Sequence, residues 1–84
     1  MTREMEIEIL MEDRCTKSEA EKHLKNGTII FDDFEENFEK YMEEWDIEEE
    51  DREAYQKMIE TGEPITDWGI VEKDGKTYYI MYAL

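Results

Sequence analysis

The side chains with the greatest capacity for chemistry in this chain are concentrated in residues 32–53. This segment holds 13 acidic and 2 basic residues, a net charge of -11 within a total of -15. Carboxylates at such density can work as acid–base pairs, coordinate cations, or present negative charge to a basic surface. The elements that position them decide among these roles.

Patterns of known catalytic and metal sites are missing from the sequence. Cys15 is the single cysteine, and His23 lies about two helical turns further on, which places it poorly as a base for the thiol. There is no glycine-rich phosphate loop, HExxH pair or calcium loop. A carboxylate pair for hydrolysis could meet only in space, and 84 residues leave little room for a substrate cleft. We predict a protein that is not an enzyme and that uses no metal or cofactor.

The net charge restricts the partners of the chain. Phosphates and anionic lipid headgroups are neutralised by Lys and Arg, so direct binding to nucleic acid or to a membrane surface is disfavoured and a basic protein surface is favoured. No apolar run is long enough to span a bilayer, no signal peptide is visible, and one cysteine cannot form an intrachain disulfide. We expect one cytoplasmic domain over residues 1–84, with a small core.

The first part of the chain predicts a strand followed by a short helix. Residues 5–11, MEIEILM, alternate in a way that is typical of a half-buried strand. Thr16 and Glu19 have the spacing of a capping box, which predicts a helix that ends near Lys25, before an Asn-Gly pair. Residues 28–31, TIIF, fit either a brief strand or an extended link.

The acidic segment predicts two further helices. A helical period starts at Asp32 and forms one apolar stripe, made of Phe34, Phe38, Tyr41, Met42 and Trp45. A second acidic start at Asp46 opens the next helix. That helix is expected to end at Thr61, because Gly62 favours a left-handed stop and a proline follows.

Residues 68–83 predict a β-hairpin. Asp74-Gly75 suits a two-residue type I′ turn, whose register pairs Val71 with Tyr78. Joined to the N-terminal strand, the hairpin gives a small antiparallel sheet with about three helices packed on one face. The expected fold class is α+β.

Helical geometry turns the carboxylates of residues 32–53 away from the aromatic stripe. Laid end to end at about 1.5 Å per residue, the segment carries about one net charge per 3 Å, within a factor of two of the roughly 1.7 Å of duplex DNA. This density motivates the hypothesis of a nucleic-acid mimic that inhibits a nuclease or DNA-binding protein; the alternative is a solvated surface that only maintains solubility. The candidate partner-binding acids are Asp33, Glu36, Glu39, Glu43, Glu44, Glu49 and Glu53.

The hairpin offers a second candidate surface, because both of its faces are partly apolar. One face carries Trp68, Ile70, Tyr79 and Met81, and the other carries Val71, Tyr78, Ile80, Tyr82 and Leu84. If only one face meets the helices, Tyr78 and Tyr82 become candidates for a protein-interaction or homodimer surface. The other reading is that a part of the same chain covers them.

The stretches RCTKSEAEKHLKNG (14–27) and DWGIVEKDGKTYYIMYAL (67–84) make the chain resemble small, acidic, uncharacterised proteins of gut Gram-positive bacteria and their mobile elements. In size and composition it is also similar to phage-encoded anti-CRISPR proteins, which block nucleases by occupying nucleic-acid sites. The resemblance implies an inhibitory binding role and assigns no active-site residue.

Overall fold

The computed structural model describes residues 1–83 and places helices on both faces of a three-stranded antiparallel sheet. The sheet has the strand order β1–β3–β2, with antiparallel pairing throughout. The α+β fold class is confirmed. Along the chain the elements are α1 (Arg3–Asp13), α2 (Lys17–Lys25), β1 (Ile29–Phe31), α3 (Phe38–Glu44), α4 (Glu49–Thr61), β2 (Trp68–Lys73) and β3 (Lys76–Met81).

Residues 5–11 lie within helix α1, so the predicted N-terminal strand is wrong. The helix starts after Thr2, whose hydroxyl accepts a hydrogen bond from the Met5 backbone N–H at 3.2 Å. Glu4 and Glu6 in the first turn complement the positive end of the helix dipole. These local signals, a cap followed by acids, outweigh the alternation of apolar residues.

Burial along α1 shows why that alternation was a poor guide. Ile9 and Leu10 are adjacent and both are fully buried, whereas Met5 and Met11 are 40% and 47% exposed. Adjacent buried residues fit one broad helical face, but in a strand they would point to opposite sides. The apolar residues of α1 therefore serve a helix that lies on the sheet rather than a strand within it.

Helix α2 carries the predicted capping box. The Thr16 hydroxyl accepts from the Glu19 backbone N–H at 3.2 Å, and the Glu19 carboxylate accepts from the Thr16 N–H at 2.9 Å. Gly27 follows the helix with φ of 104°. Ile29–Phe31 then form strand β1, so the choice that the sequence left open for residues 28–31 is resolved as a strand. This strand takes the place assigned to the N-terminal one.

Helix α3 begins later than the sequence predicted. Residues 32–37 form turns, and the helix starts at Phe38. The Asp33 carboxylate holds these turns, because it accepts hydrogen bonds from Asn37 Nδ2 at 2.9 Å and from the Tyr41 hydroxyl at 2.8 Å. These two bonds tie the turns to the start of α3.

Helix α4 also begins later than predicted, but its end is confirmed. Asp46 has φ of 52°, a left-handed conformation that separates α3 from α4. Glu48 becomes the N-cap residue, and the three acids of the first turn face the positive end of the helix dipole. At the other end, Thr61 is the last helical residue and Gly62 adopts the left-handed conformation with φ of 72°.

The hairpin forms in the predicted register. Asp74 and Gly75 both have positive φ, 54° and 76°, as a type I′ turn requires. Val71 is paired with Tyr78, and the pairing extends to Trp68 and Met81.

Each face of the sheet has its own core, so the prediction of helices on one face is wrong. Against α1 and α2 lie the hairpin residues Val71, Tyr78, Ile80 and Tyr82. The opposite core, formed with α3 and α4, contains Phe31, Phe34, Met42, Met58, Trp68 and Tyr79. Because residues 5–11 form a helix, the fold has a second helical layer to cover the second apolar face. Leu84, which the sequence assigned to the same face as Tyr78 and Tyr82, lies outside the described residues.

Candidate protein-interaction surface

The carboxylates of residues 32–53 are almost all on the surface. Asp33 is half-buried, and the other twelve of the thirteen are exposed. Two of these pair with a base: Glu39 with Arg52, and Asp32 with Lys76 at 3.6 Å. Within the described part of the chain, the remaining ten have no basic nitrogen within 4.0 Å. Most of the negative charge is therefore not neutralised.

Four of the predicted acids lie at the junction between α3 and α4. Arg52 forms an ion pair with Glu39, and this bond, with the nearby Glu49 and Glu43 carboxylates adding to it, raises the pKa of the guanidinium. Glu43, Glu49 and Arg52 line one shallow depression of about 330 Å³. Glu53 is exposed one helical turn after Glu49. We call Glu39, Glu43, Glu49 and Glu53 the acidic junction.

Asp33 has a structural role that the sequence did not reveal. Its bond from the Tyr41 hydroxyl is the main reason that the pKa of Tyr41 rises to about 12, with burial contributing as well. A carboxylate that is half-buried and accepts two hydrogen bonds within the chain is a poor stand-in for a solvent-facing phosphate.

Glu36 and Glu44 adjoin other parts of the chain. Glu36 lines a depression of about 210 Å³ together with Asp32 and Lys76, beside the hairpin turn. Glu44 lies close enough to the Tyr41 hydroxyl to contribute to its raised pKa. The predicted acids thus adjoin different parts of the molecule: the α3–α4 junction, the Tyr41 hydroxyl and the hairpin turn.

Tyr78 and Tyr82 are covered by α1 and α2 of the same chain. They are 8% and 7% exposed, so neither side chain is free to meet a partner. Of the two readings that the sequence left open for them, the structure has the one in which the chain itself covers this face.

Tyr82, which follows β3, is hydrogen-bonded to Asp13 at the end of α1. Its hydroxyl donates to Asp13 Oδ2 at 2.6 Å, and the same oxygen accepts from Arg14 Nε at 2.9 Å. The Arg14 guanidinium also lies 4.7 Å from the centre of the tyrosine ring and donates to the Trp68 carbonyl at 2.8 Å. Burial, followed by the bond to Asp13, raises the pKa of Tyr82.

Cys15 and His23 belong to this same core. The thiol is buried and lies 4.0 Å from the Tyr82 hydroxyl, while the His23 ring packs edge-on against the Tyr82 ring at 5.1 Å. Burial raises the pKa of Cys15, which is the opposite of what a reactive thiolate needs. Both side chains contribute to packing around Tyr82.

Comparison with protein-family models, curated proteins and solved structures found no match to this chain. Its function must be argued from its own geometry. Among residues 1–83, no group of three or more His, Cys, Asp and Glu side chains is arranged to hold a metal ion. None of the helices described has the length and apolar character needed to cross a membrane.

The ion pairing of the few basic residues in the acidic segment could not be predicted from the sequence. Helical spacing favours the pairs Glu36–Lys40 and Glu53–Lys57, yet the acidic segment instead uses Arg52 to bridge two helices to Glu39. The Glu39–Arg52 pair spans 13 residues and a chain reversal, so no periodic pattern points to it. A visible signal was the rarity of bases in residues 32–53, which made each of them a candidate bridge.

Proposed function

We propose that this protein is a non-enzymatic acidic binding protein whose acidic junction occupies the nucleic-acid cleft of a basic protein, such as a nuclease or a DNA-binding protein. The observation that carries the proposal is the exposure of twelve carboxylates in residues 32–53, ten of them without a basic partner among residues 1–83. A basic cleft is the complementary surface for such a group of charges.

The dimensions of the molecule support this proposal. Its longest dimension is 36 Å, close to one turn of duplex. A duplex of that length carries about 20 phosphates, and about half of them face any one side. The acidic segment brings a net charge of -11 within the same distance. The net charge of the whole segment, over all of its faces, is therefore comparable to the charge on one side of such a duplex.

Capture from a bacterial lysate followed by displacement with duplex DNA tests the proposal. Immobilised protein is expected to retain nucleic-acid-binding proteins at about 50 mM salt, to lose most of them by about 200 mM, and to release them when duplex DNA is added. Mass spectrometry identifies the released proteins. Retained proteins that duplex DNA does not displace would contradict occupation of a nucleic-acid cleft.

A matched pair of triple variants separates the acidic junction from net charge. The first variant carries Glu43→Gln, Glu49→Gln and Glu53→Gln. The control carries three exposed acids changed on the other side of the sheet, Glu4→Gln, Glu8→Gln and Glu21→Gln. Both lose three negative charges, but only the first is expected to lose the DNA-displaceable proteins. Equal losses in the two variants would show that charge acts without regard to position.

A further inference from the structure

A groove lies between the C-terminal end of α4 and the face of the hairpin that carries Ile70 and Tyr79. It encloses about 390 Å³, near the lower end of the roughly 300–1,000 Å³ typical of ligand sites. Its apolar lining comes from Ile59 and Pro64, at and after the end of α4, and from Ile70 and Tyr79 of the hairpin. We call this the α4–hairpin groove.

The polar groups of the α4–hairpin groove are acidic. Glu35 and Glu72 line it, and both are exposed with no basic nitrogen within 4.0 Å in the described part of the chain. A third carboxylate, Asp13, is already bonded to Tyr82 and to its neighbouring arginine. No Lys or Arg lines the groove among residues 1–83.

The pKa of the Tyr79 hydroxyl reflects both the burial and the negative charge at the groove. Tyr79 lines the groove and is 2% exposed, so only a small part of the residue faces the groove. Burial first, and then the Glu35 and Glu72 carboxylates, raise the pKa of its hydroxyl to about 12. The groove therefore disfavours further negative charge and is suited to a cation that also has an apolar stem.

The groove adjoins one part of the acidic segment, beside the hairpin turn. Glu35 and Thr77 line it and also line the neighbouring depression that contains Asp32 and Glu36. A basic protein lying on that surface would have the groove within reach of its own side chains. Lys and Arg have the required form, because an aliphatic stem can lie on apolar walls while the charged head reaches the carboxylates.

We propose that the α4–hairpin groove binds one Lys or Arg side chain of the basic partner, with the stem between Ile59 and Ile70 and the charged head at Glu35 and Glu72. This inference rests on the proposed function for the partner and adds an anchor to it. Charge alone attracts many basic proteins, whereas a walled groove of fixed position selects those with a basic side chain at the matching place.

Titration of the isotope-labelled protein with Nα-acetyl-arginine amide and Nα-acetyl-lysine amide tests the groove without any partner. Backbone NMR signals of Ile70 and Tyr79 are expected to shift for at least one of the two. The uncharged analogue Nα-acetyl-norleucine amide and the guanidinium ion alone are expected to shift them less. Shifts that are spread evenly over the acidic junction, or equal shifts with guanidinium, would overturn the anchor.

Two variants give this titration its control. Glu72→Gln changes an exposed residue of β2, so the fold is expected to persist and the affinity at the groove to fall about two- to fivefold. Glu8→Gln removes the same charge from α1 and is expected to leave the groove shifts unchanged. Groove shifts that persist in full with Glu72→Gln would overturn the inference.

The lysate experiment distinguishes failure of the groove from failure of the proposed function. If the wild-type protein retains DNA-displaceable proteins and Glu72→Gln retains them equally, the groove is not the anchor, but occupation of a nucleic-acid cleft stands. If the wild-type protein retains none, the proposed function fails, and the proposed anchor for its partner fails with it. If Glu72→Gln retains fewer of these proteins and Glu8→Gln retains as many as the wild type, both proposals are supported.

Discussion

The two sides of the sheet differ in the net charge of the covering segment and in the residue types of the core. The α1–α2 side is covered by residues 1–27, which have a net charge of -2, and its core is rich in aliphatic side chains such as Leu10 and Ile80. The α3–α4 side is covered by the segment with a net charge of -11, and its core is mainly aromatic. Each aromatic side chain buries about 150–250 Å². The side with the greater self-repulsion thus has the larger buried rings beneath it, which offset that repulsion.

Phe34 is the centre of the aromatic core, and its removal is expected to have the largest effect. It is 1% exposed, and the rings of Trp68 and Tyr79 lie 5.2 Å from its own. Phe34→Ala should reduce the free energy of unfolding by about 3–5 kcal/mol. Urea unfolding followed by circular dichroism measures this. Phe38→Ala, at the half-buried edge of the same core, should cost clearly less. Equal costs would mean that the core has no such centre.

Ionisation of Tyr79 should also destabilise the aromatic side at alkaline pH. The pKa of Tyr79 rises from 10.0 to about 12 in the folded protein, which corresponds to about 3 kcal/mol of preference for the neutral phenol. This stabilisation is fully present below pH 10.0 and is lost as the pH rises through about 12. Absorbance of phenolate, recorded with circular dichroism, should show delayed ionisation coupled to unfolding. Tyr79→Phe should reduce this alkaline loss, and an unchanged profile would contradict the assignment.

The α1–α2 side depends on the hydrogen bond between the Tyr82 hydroxyl and Asp13. Tyr82→Phe removes the donor to Asp13 and should reduce the free energy of unfolding by about 1.5–3 kcal/mol, as for bonds to charged groups. Tyr78→Phe is the matched control, because among the described residues its hydroxyl makes no hydrogen bond. Its cost should be below about 0.5 kcal/mol. Thermal or urea unfolding of both variants measures the difference.

Removing one charge at the end of α3 and one at the start of α4 should change the free energy of unfolding least, and in opposite directions. Glu44 lies in the last turn of α3, where a negative charge opposes the helix dipole, and Glu50 lies in the first turn of α4, where it complements the dipole. Glu44→Gln should stabilise and Glu50→Gln destabilise the protein, each by about 0.3–1 kcal/mol at low salt. Both differences should fade at about 1 M salt. Changes of the same sign would show that total charge outweighs position.

The candidate surface could be anticipated in composition but not in arrangement. Glu43, Glu49 and Glu53 are exposed, as the helical period indicated. The same reasoning could not show that Asp33 holds a turn. That role depends on a hydrogen bond from the Tyr41 hydroxyl in α3 to a carboxylate that lies before the start of this helix. It also could not show the α4–hairpin groove, whose walls come from segments that meet only in the folded chain.

The sequence by itself determined the features whose interactions lie within a few residues. The capping box of Thr16 and Glu19, the left-handed stop at Gly62 and the turn at Asp74-Gly75 formed as predicted, because caps and tight turns are satisfied by neighbouring backbone groups.

Tertiary structure decided whether residues 5–11 became helix or strand, which faces of the sheet were covered, and where Tyr82 went. Each depends on groups far apart in the chain, as the bond between Asp13 and Tyr82 shows across 69 residues. An apolar residue specifies only that it must be buried. The partner that buries it is chosen when both faces of the sheet compete for the available helices.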